Sequence, residues 1–419
     1  MKKIVLSLAS VLAATAFAPE AAAIPAYARQ VGMACTACHA QHFPVLNSFG
    51  RAFKASGYTM MGAQGKVEGD HLSIPDTLNM SMIVKLRYME DNTAGAVGSL
   101  NAVAATKGDG QMQMFDEFAL LVGGRIAENV GVFMEGQMLE TGPFIGILRM
   151  PFVWDMGGAK LSVVPFAADG GSAMVGYELS SGGVLRANRW SESRDATSAV
   201  QYNRNIESAA GIAFVAQNDM GFINVTPFTT DFCFKDQGEV SSAMKSTYIR
   251  IAATPTVGDW AMVVGLGKMS GSSANISGAG TTQTAVQTVT DQTFFDFQAQ
   301  GEVGGKELAV YVQHSKAPMT AIVGAQAAYN KKNVTDKKAT TIGVDYSVIP
   351  HTLSIGAAYR NATNGAVATA NGDNAWTVQA IYDLYQNVAL HANYSKMNGS
   401  AHTATSQNKL TTLMLEMAW

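Results

Sequence analysis

Cysteine, proline and charged residues are all scarce in this chain of 419 residues. It contains 3 Cys and 11 Pro, and Asp, Glu, Lys and Arg together make up 15 % of the sequence. The net charge of −3 predicts neither nucleic-acid binding nor an acidic tail. No apolar run approaches the ~20 residues of a membrane-spanning helix. A chain with so little charge must therefore bury its apolar surface in another way.

The first 23 residues have the pattern of a secretory signal peptide. Lys2 and Lys3 form a basic start, and residues 4–18 are apolar but too short to cross a bilayer. Residues 21–23 are alanines that suit cleavage. We therefore predict a signal peptide over residues 1–23 and a mature chain that begins near Ile24, in an oxidising compartment.

The spacing Cys35-x-x-Cys38-His39 is the attachment signature of covalent c-type haem. The two thiols form thioether bonds to the haem, and the adjacent imidazole becomes the proximal ligand of the iron. Two of only three cysteines fall in this pattern, which argues against coincidence. One alternative is zinc, which needs two further ligands nearby, and another is a thiol redox pair, which does not need the histidine. Cys233 is either a reactive thiol or a small packed residue.

Residues 24–62 are helical in character. Pro44 suits the first turn of a helix, Leu46, Phe49 and Phe53 recur at helical spacing, and Gly57 is a natural C-terminal stop. Residues 63–76 are polar and contain glycine, which predicts a linker. The sequence thus predicts a small N-terminal α-helical domain that carries one haem.

From residue 77 to residue 419 the apolar pattern has a period of two. Trp376, Val378 and Ala380, for example, alternate with Thr377 and Gln379. Tight turns are predicted at 127–129, 255–259, 303–306, 349–352 and 385–387. Long polar links are predicted at 91–110, 268–291, 315–339, 361–374 and 396–409. Short turns at one end and long loops at the other are typical of outer-membrane barrels. We predict an all-β fold, a transmembrane antiparallel β-barrel of about sixteen strands, with fourteen or eighteen as alternatives.

The two parts are predicted to fit together. About forty residues are too few to enclose a haem without help. A barrel of about sixteen strands has a lumen wide enough for a plug. We therefore expect the haem domain to lie in the lumen, entered from the periplasmic mouth. The alternative is a haem domain that hangs in the periplasm beside an open porin.

A family resemblance rests on about 35 residues around the cysteines. They are Ala28-Arg29-Gln30-Val31-Gly32-Met33-x-Cys35-x-x-Cys38-His39, followed by Phe43-Pro44-x-Leu46-Asn47-x-Phe49-Gly50-Arg51 and Phe53-Lys54-x-x-Gly57-Tyr58. This stretch resembles the fused monohaem cytochrome–porins of iron-oxidising bacteria. The resemblance implies an outer-membrane oxidoreductase that takes electrons from Fe(II) outside the cell. It would pass them to a periplasmic carrier, either a cytochrome c or a cupredoxin.

The distal ligand of the haem iron is open at this point. Met60 is the first candidate because it follows the Gly57 stop, and a His/Met pair raises the reduction potential. Met61 and His71 are the alternatives, together with an open site. In the barrel, the inward carboxylates Glu135, Asp296, Asp345 and Asp383 either attract Fe(II) or pair with inward Lys85, Arg87, Arg125 and Arg250.

Two other functions compete with iron oxidation. One is a diffusion porin whose haem domain gates or senses, and the other is a haem conduit that exports electrons to an external acceptor. The expected partners are Fe(II), the periplasmic carrier and outer-membrane lipid, with a homotrimer as a further possibility.

Overall fold

A computed structural model describes residues 24–92, 110–138, 144–168, 172–178, 196–203, 208–231, 242–277, 284–403 and 408–419. The signal peptide predicted for residues 1–23 and Cys233 lie outside these ranges.

The described chain is built mostly from antiparallel strands. Three short α-helices are α1 (Pro25–Val31), α2 (Ser48–Ala55) and α3 (Ala199–Asn203). The 3-10 turns span Cys35–Ala37, Ser172–Val175 and Ala368–Ala370. The strands are β1 (Lys66–Gly69), β2 (Leu72–Pro75), β3 (Met80–Asp91), β4 (Gln111–Ala127), β5 (Val130–Gln137), β6 (Ile145–Arg149), β7 (Phe152–Asp155), β8 (Lys160–Ala168), β9 (Ala209–Asn218), β10 (Gly221–Thr229), β11 (Ser246–Ala253), β12 (Thr256–Val257), β13 (Trp260–Ser277), β14 (Thr284–Val289), β15 (Gln292–Val303), β16 (Lys306–Ala317), β17 (Gln326–Ala327), β18 (Lys337–Ile349), β19 (Leu353–Asn364), β20 (Asn374–Tyr385), β21 (Val388–Asn398) and β22 (Lys409–Ala418).

Strands β3 to β22 form one closed barrel, which ends where β22 pairs with β3. β6 and β7 share one position in the wall, because Met150 and Pro151 interrupt a single strand between β5 and β8. β12 continues the hairpin with β13, and β14 and β17 are short additions at the long-loop end. The described wall therefore has sixteen positions, which confirms the predicted strand number.

The two faces of the barrel have inverted polarity compared with a soluble protein. Arg250 of β11 and Asp296 of β15 face inward and are 1 % and 0 % exposed. Ile251, the next residue on β11, and Leu266 on the neighbouring strand β13 are 55 % and 64 % exposed. Exposed apolar and buried charged side chains are stable only where lipid surrounds the wall. The exposed face is therefore the lipid-facing band of a transmembrane barrel.

Short turns collect at one end of the barrel. They lie at 128–129, 156–159, 219–220, 258–259, 304–305, 350–352 and 386–387. Met82 and Trp419 exchange backbone hydrogen bonds at this same end, where the first and last barrel strands meet. The five predicted tight turns are confirmed. By the usual orientation of such barrels, this is the periplasmic end.

Three sequence predictions need correction. The predicted linker 63–76 contains the hairpin of β1 and β2. β13 runs to Ser277 through the predicted loop 268–291, because it also pairs with β14. Helix α2 begins after Asn47, so Pro44 lies ahead of the helix rather than in its first turn.

The N-terminal segment 24–62 lies inside the barrel and is called the plug below. Its polar contacts reach strands around the ring. Gln30 accepts a hydrogen bond from the Arg125 amide of β4 at 3.0 Å, and the Ala55 carbonyl accepts one from Gln217 of β9 at 3.0 Å. On the far side, the Gln41 amide donates to Glu307 of β16 at 2.7 Å. Other plug–barrel contacts join Arg51 to Gln300, His42 to Asp345, and Phe53 and Tyr58 to Phe133 and Ile83.

A second segment enters the lumen from the long-loop end. It comprises residues 172–178 and 196–203 and is called the inner segment below. Met174 and Val200 are buried in an apolar cluster with Phe228, Tyr248 and Tyr329 of the wall and loops. Tyr177 and the plug residues Lys54 and Tyr58 line one shared cleft. The described lumen is therefore filled from both ends.

Among the described helices, none has the length and hydropathy required to cross a bilayer.

Candidate functional site

The two cysteines of the plug lie on one tight turn. The amides of Cys38 and His39 both donate to the Cys35 carbonyl at 3.0 Å, so the two side chains and the imidazole are fixed relative to one another. Among the described residues neither thiol forms a disulfide, and both are half-buried. Burial, with a smaller contribution from Cys35, raises the pKa of the Cys38 thiol. The turn therefore places two cysteine side chains on one short segment.

Asn47 holds this turn in place. Its Nδ2 donates to the carbonyls of Thr36 and Ala37 at 3.3 and 3.1 Å, while its Oδ1 accepts the Gly50 amide at 3.0 Å and caps helix α2. One side chain thus ties the start of α2 to the cysteine turn.

Gly50 allows the helix to approach. A Cβ at this position would overlap the carbonyl oxygen of Cys38, so only glycine fits without movement. The sequence interpretation assigned no role to Asn47 or Gly50. The cap was detectable in principle, since Asn directly before a helix is a common N-cap, but the contact with the cysteine turn was not.

His39 is oriented as a metal-binding histidine. Its Nδ1 donates to the Val45 carbonyl at 3.2 Å, and the Phe43 ring packs edge-on against the imidazole with 5.3 Å between centroids. This hydrogen bond selects the tautomer whose Nε2 keeps its lone pair for a metal. Burial lowers the pKa of His39 to about 4, so the imidazole is neutral at neutral pH.

An open cleft, with an empty volume of about 260 Å³ that includes open solvent, lies beside these groups. Its walls are Cys35, Thr36, His39, Gln41, His42, Phe43, His351 and Asp383. His351 belongs to the short turn 350–352, so the cleft lies at the periplasmic mouth, between the plug and the wall. Two thiols, a neutral imidazole with a free Nε2 and an adjoining cleft are the donor set that c-type haem requires, and the residues present fit this group.

The other predicted ligands lie away from this cleft. Met60 packs in the apolar cluster of Phe53, Tyr58 and Phe133, and its carbonyl accepts a hydrogen bond from Gln30 at 2.7 Å. Met61 follows it and is half-buried, whereas His71 is exposed in the turn between β1 and β2. None of the three lines the cleft that Cys35 and His39 share. Ligation by Met60, Met61 or His71 stays a prediction.

The predicted ion pairs of the lumen are found in part. Arg250 binds Asp296 at 2.6 Å, as expected. Lys85 pairs with Glu117, and Arg87 pairs with Asp116 at 2.5 Å. These two carboxylates were not among the predicted partners.

Two of the inward residues are held differently. Arg125 donates to Ser73 of the β1–β2 hairpin rather than to a carboxylate. Asp345 accepts from Gln379 at 2.7 Å and faces His42 of the plug at 3.9 Å. Asp383 lines the cleft itself, so two wall carboxylates lie beside the plug histidines.

Within the ranges that the structure describes, no group of three or more His, Cys, Asp or Glu side chains is arranged to hold a metal ion.

Comparisons with known proteins found likeness only in architecture. No protein family matches the chain, and no curated protein matches it. A loop-deletion mutant of OmpT, an outer membrane protein of Vibrio cholerae, is 12 % identical, with 82 % of this chain and 99 % of that one covered and a TM-score of 0.48. The outer membrane protein opdK from Pseudomonas aeruginosa is 11 % identical, with 81 % and 98 % covered and a TM-score of 0.40. A porin is 9 % identical, with 82 % and 100 % covered and a TM-score of 0.44.

The class of this protein follows from its own closed sheet and its inverted faces. It is an outer-membrane β-barrel of the porin type, with sixteen strands in the described wall. Within this class, it is distinguished by a plug whose cysteine turn opens to the periplasmic mouth.

Proposed function

We propose that this protein is a c-type cytochrome fused to an outer-membrane porin, which oxidises external Fe(II) and passes electrons through one haem to a periplasmic carrier. The observation that carries the proposal is the cysteine turn. Cys35, Cys38 and His39 are presented together on a plug that the barrel grips, with His39 oriented by Val45. The resemblance of residues 28–58 to monohaem cytochrome–porins supplies the iron donor and the carrier.

Each residue of the site has a role in this proposal. Cys35 and Cys38 anchor the haem covalently, and Nε2 of His39 binds its iron. Val45 keeps the imidazole in the required tautomer, while Asn47 and Gly50 hold the turn against helix α2. The bound haem supplies a one-electron carrier whose potential the axial ligands adjust.

The position of the site favours one electron partner over the other. The cleft faces the periplasmic mouth, where a soluble cytochrome c or cupredoxin can approach directly. The donor side is farther away, because the hydrophobic band of such a barrel is about 25 Å tall. Fe(II) prefers oxygen and imidazole ligands, and Asp345, Asp383 and Glu416 are inward carboxylates near the cleft and the plug. In this proposal these carboxylates are candidate ligands for Fe(II).

The filled lumen weighs against the diffusion-porin alternative. The plug and the inner segment meet at the cleft of Lys54, Tyr58 and Tyr177, which has an empty volume of about 290 Å³ that includes open solvent. No comparable observation separates the iron oxidase from a conduit that exports electrons, so the reduction potential must decide between them. A homotrimer is likewise a proposal, to be measured by cross-linking in native membranes.

One experiment tests the proposal in three steps. The full-length protein and a Cys35→Ser/Cys38→Ser variant are purified from outer membranes, with Cys233→Ser as the control for loss of a thiol. We expect a pyridine haemochrome from the wild type and from Cys233→Ser, and none from the double variant. We then expect Fe(II) to reduce the haem in stopped-flow absorbance, and the reduced haem to pass its electron to an added cytochrome c.

The outcomes are distinct. Absence of haem from the wild type would refute the whole proposal. Haem that Fe(II) fails to reduce would remove the iron donor and leave an electron conduit of another kind. Solute flux through reconstituted protein, undiminished with haem in place, would instead support the diffusion porin.

A further inference from the structure

We propose that His351, in the barrel turn 350–352, is the second axial ligand of the haem that His39 binds. The inference rests on the proposed function, because it requires the haem. It assigns a haem ligand to the barrel, whereas the sequence interpretation considered only Met60, Met61 and His71.

Position is the first reason. His351 and His39 line the same cleft, one from the wall and the other from the plug, and Cys35 lies there with them. The cleft is therefore bordered by an imidazole on the cysteine turn and by a second imidazole on the surrounding barrel. A ligand anchored at Cys35 and Cys38 that entered this cleft would come close to both histidines.

The rigidity of the turn is the second reason. The Thr352 amide donates to Ile349 at 3.0 Å and the Thr352 carbonyl accepts the Asp383 amide at 2.9 Å, so the turn is pinned to its own hairpin and to β20. His351 adopts a left-handed backbone conformation, with φ of 56°. The backbone that carries His351 is therefore held in place without support from the ligand.

The freedom of the ring is the third reason. Within the described part of the chain, the His351 ring takes part in no hydrogen bond, ion pair or ring contact, and the residue is exposed. Its nitrogens are therefore available to a ligand.

The other histidine of the cleft, His42, has one nitrogen bonded to the plug backbone, and its buried Nε2 makes no hydrogen bond to the described residues. His42 Nδ1 donates to the Phe43 carbonyl at 2.8 Å, and its Nε2 faces Asp345 at 3.9 Å. Its two nitrogens are thus directed at the plug backbone and the barrel wall. Met60 is packed in the apolar cluster that Phe53 and Tyr58 of the plug form with Phe133 of the wall, and its carbonyl accepts a hydrogen bond from Gln30.

Two consequences follow from a ligand on the barrel. A second imidazole gives a lower reduction potential than methionine would, because methionine ligation raises it. The iron would also join the plug to the wall, since His39 belongs to one and His351 to the other. Haem insertion would then lock the plug in the lumen.

The test uses His351→Asn in the full-length protein, since asparagine tolerates a left-handed backbone better than most residues do. His71→Asn is the matched control, because His71 is also exposed in a turn with positive φ, at 60°. Met60→Leu tests the methionine alternative. Haem content is measured by pyridine haemochrome, and folding by the heat-modifiable gel mobility of barrels.

We expect low-spin electron paramagnetic resonance typical of two imidazoles in the wild type, in His71→Asn and in Met60→Leu. In His351→Asn, at unchanged haem content, we expect a high-spin signal that added imidazole converts back to low spin, and a raised potential. An unchanged low-spin spectrum in His351→Asn would overturn the assignment. A long-wavelength charge-transfer band of sulfur ligation in the wild type, lost in Met60→Leu, would also overturn it.

These results separate this inference from the proposed function. A protein with two imidazole ligands that Fe(II) cannot reduce would retain the His351 assignment and lose the iron donor. A protein that Fe(II) reduces normally, with the spectrum of His351→Asn unchanged, would show the reverse. A wild-type protein without haem would remove both.

Discussion

The plug and the inner segment both fill the lumen, but they are held there by different forces. The plug is held mainly by hydrogen bonds to backbone and amide groups and by the apolar cluster around Phe53 and Tyr58, with the wall carboxylates Glu307 and Asp345 beside Gln41 and His42. The inner segment depends on buried charge: Glu178 binds Nε of Arg250 at 2.8 Å, and Arg250 also binds Asp296 at 2.6 Å. Neutral, directional contacts keep a site in one geometry, whereas a buried charge network is stable only while complete. The proposed haem site lies on the plug.

The largest expected effect comes from breaking the charge network. Arg250→Met preserves much of the side-chain volume but leaves Glu178 and Asp296 buried without their cation. Removing one partner of a buried ionic group costs about 3–5 kcal/mol. We expect this loss in urea unfolding in detergent, together with higher ion conductance in planar bilayers as the inner segment is released.

A matched control is Lys338→Met. Lys338 is half exposed and lies 3.9 Å from Asp336, so its loss should cost about 0–1 kcal/mol. Equal destabilisation by the two substitutions would show that the buried network stabilises the inner segment no more than an exposed ion pair would. The same holds if Arg250→Met leaves both stability and conductance unchanged.

The next effect concerns the plug. Gly50→Ala places a methyl group against the Cys38 carbonyl, so helix α2 and the cysteine turn must move apart. Overpacking of this kind typically costs about 1–3 kcal/mol. We expect a lower yield of covalently bound haem, measured by haem staining of denaturing gels, while the barrel retains its heat-modifiable mobility.

Gly69→Ala provides the control for this substitution. The nearest atom to an added Cβ there is Leu72 Cβ at 3.9 Å, which is an ordinary contact. Haem yield should therefore stay at the wild-type level in Gly69→Ala. If Gly50→Ala also leaves it unchanged, the close approach of α2 does not hold the cysteine turn in position.

The wall was predictable from sequence because its pattern is local. In β18, exposed Ile342 and Val344 alternate with buried Thr341 and Asp345, and the face of each residue follows from that of its neighbours. The haem motif was predictable for the same reason, since Cys35, Cys38 and His39 are adjacent in the chain.

The inner segment and the far wall of the cleft could not be predicted in this way. Glu178, Arg250 and Asp296 meet only after three separate parts of the chain have folded into one lumen. Pro151 lies between β6 and β7, which breaks the alternation just ahead of the inner segment. His351 reaches the cleft only because the barrel closes around the plug, and no local pattern marks that turn as part of a site.

The smallest expected effect is a pH dependence at the outer part of the inner segment. Asp373 accepts hydrogen bonds from Tyr202 of α3 at 2.7 Å and from His402 at 2.8 Å, and pairs with Arg360 at 3.2 Å. Burial alone would raise the pKa of Asp373, but Arg360 and these hydrogen bonds outweigh it and hold the pKa below its usual value. A carboxylate with a lowered folded-state pKa stabilises the fold above its unfolded pKa of about 3.9, and this contribution is lost as the pH falls further.

Asp373→Asn should therefore unfold more easily than the wild type at neutral pH, by about 1 kcal/mol, and the difference should shrink below about pH 4. The measurement is urea unfolding of both proteins across this range, with Asp219→Asn in the exposed turn 219–220 as the control. Since both variants lose one carboxylate, general charge effects cancel between them. A difference that stays constant with pH would mean that the Asp373 charge does not hold the inner segment. The contrast between a neutral plug and a charged inner segment would then rest on Arg250 alone.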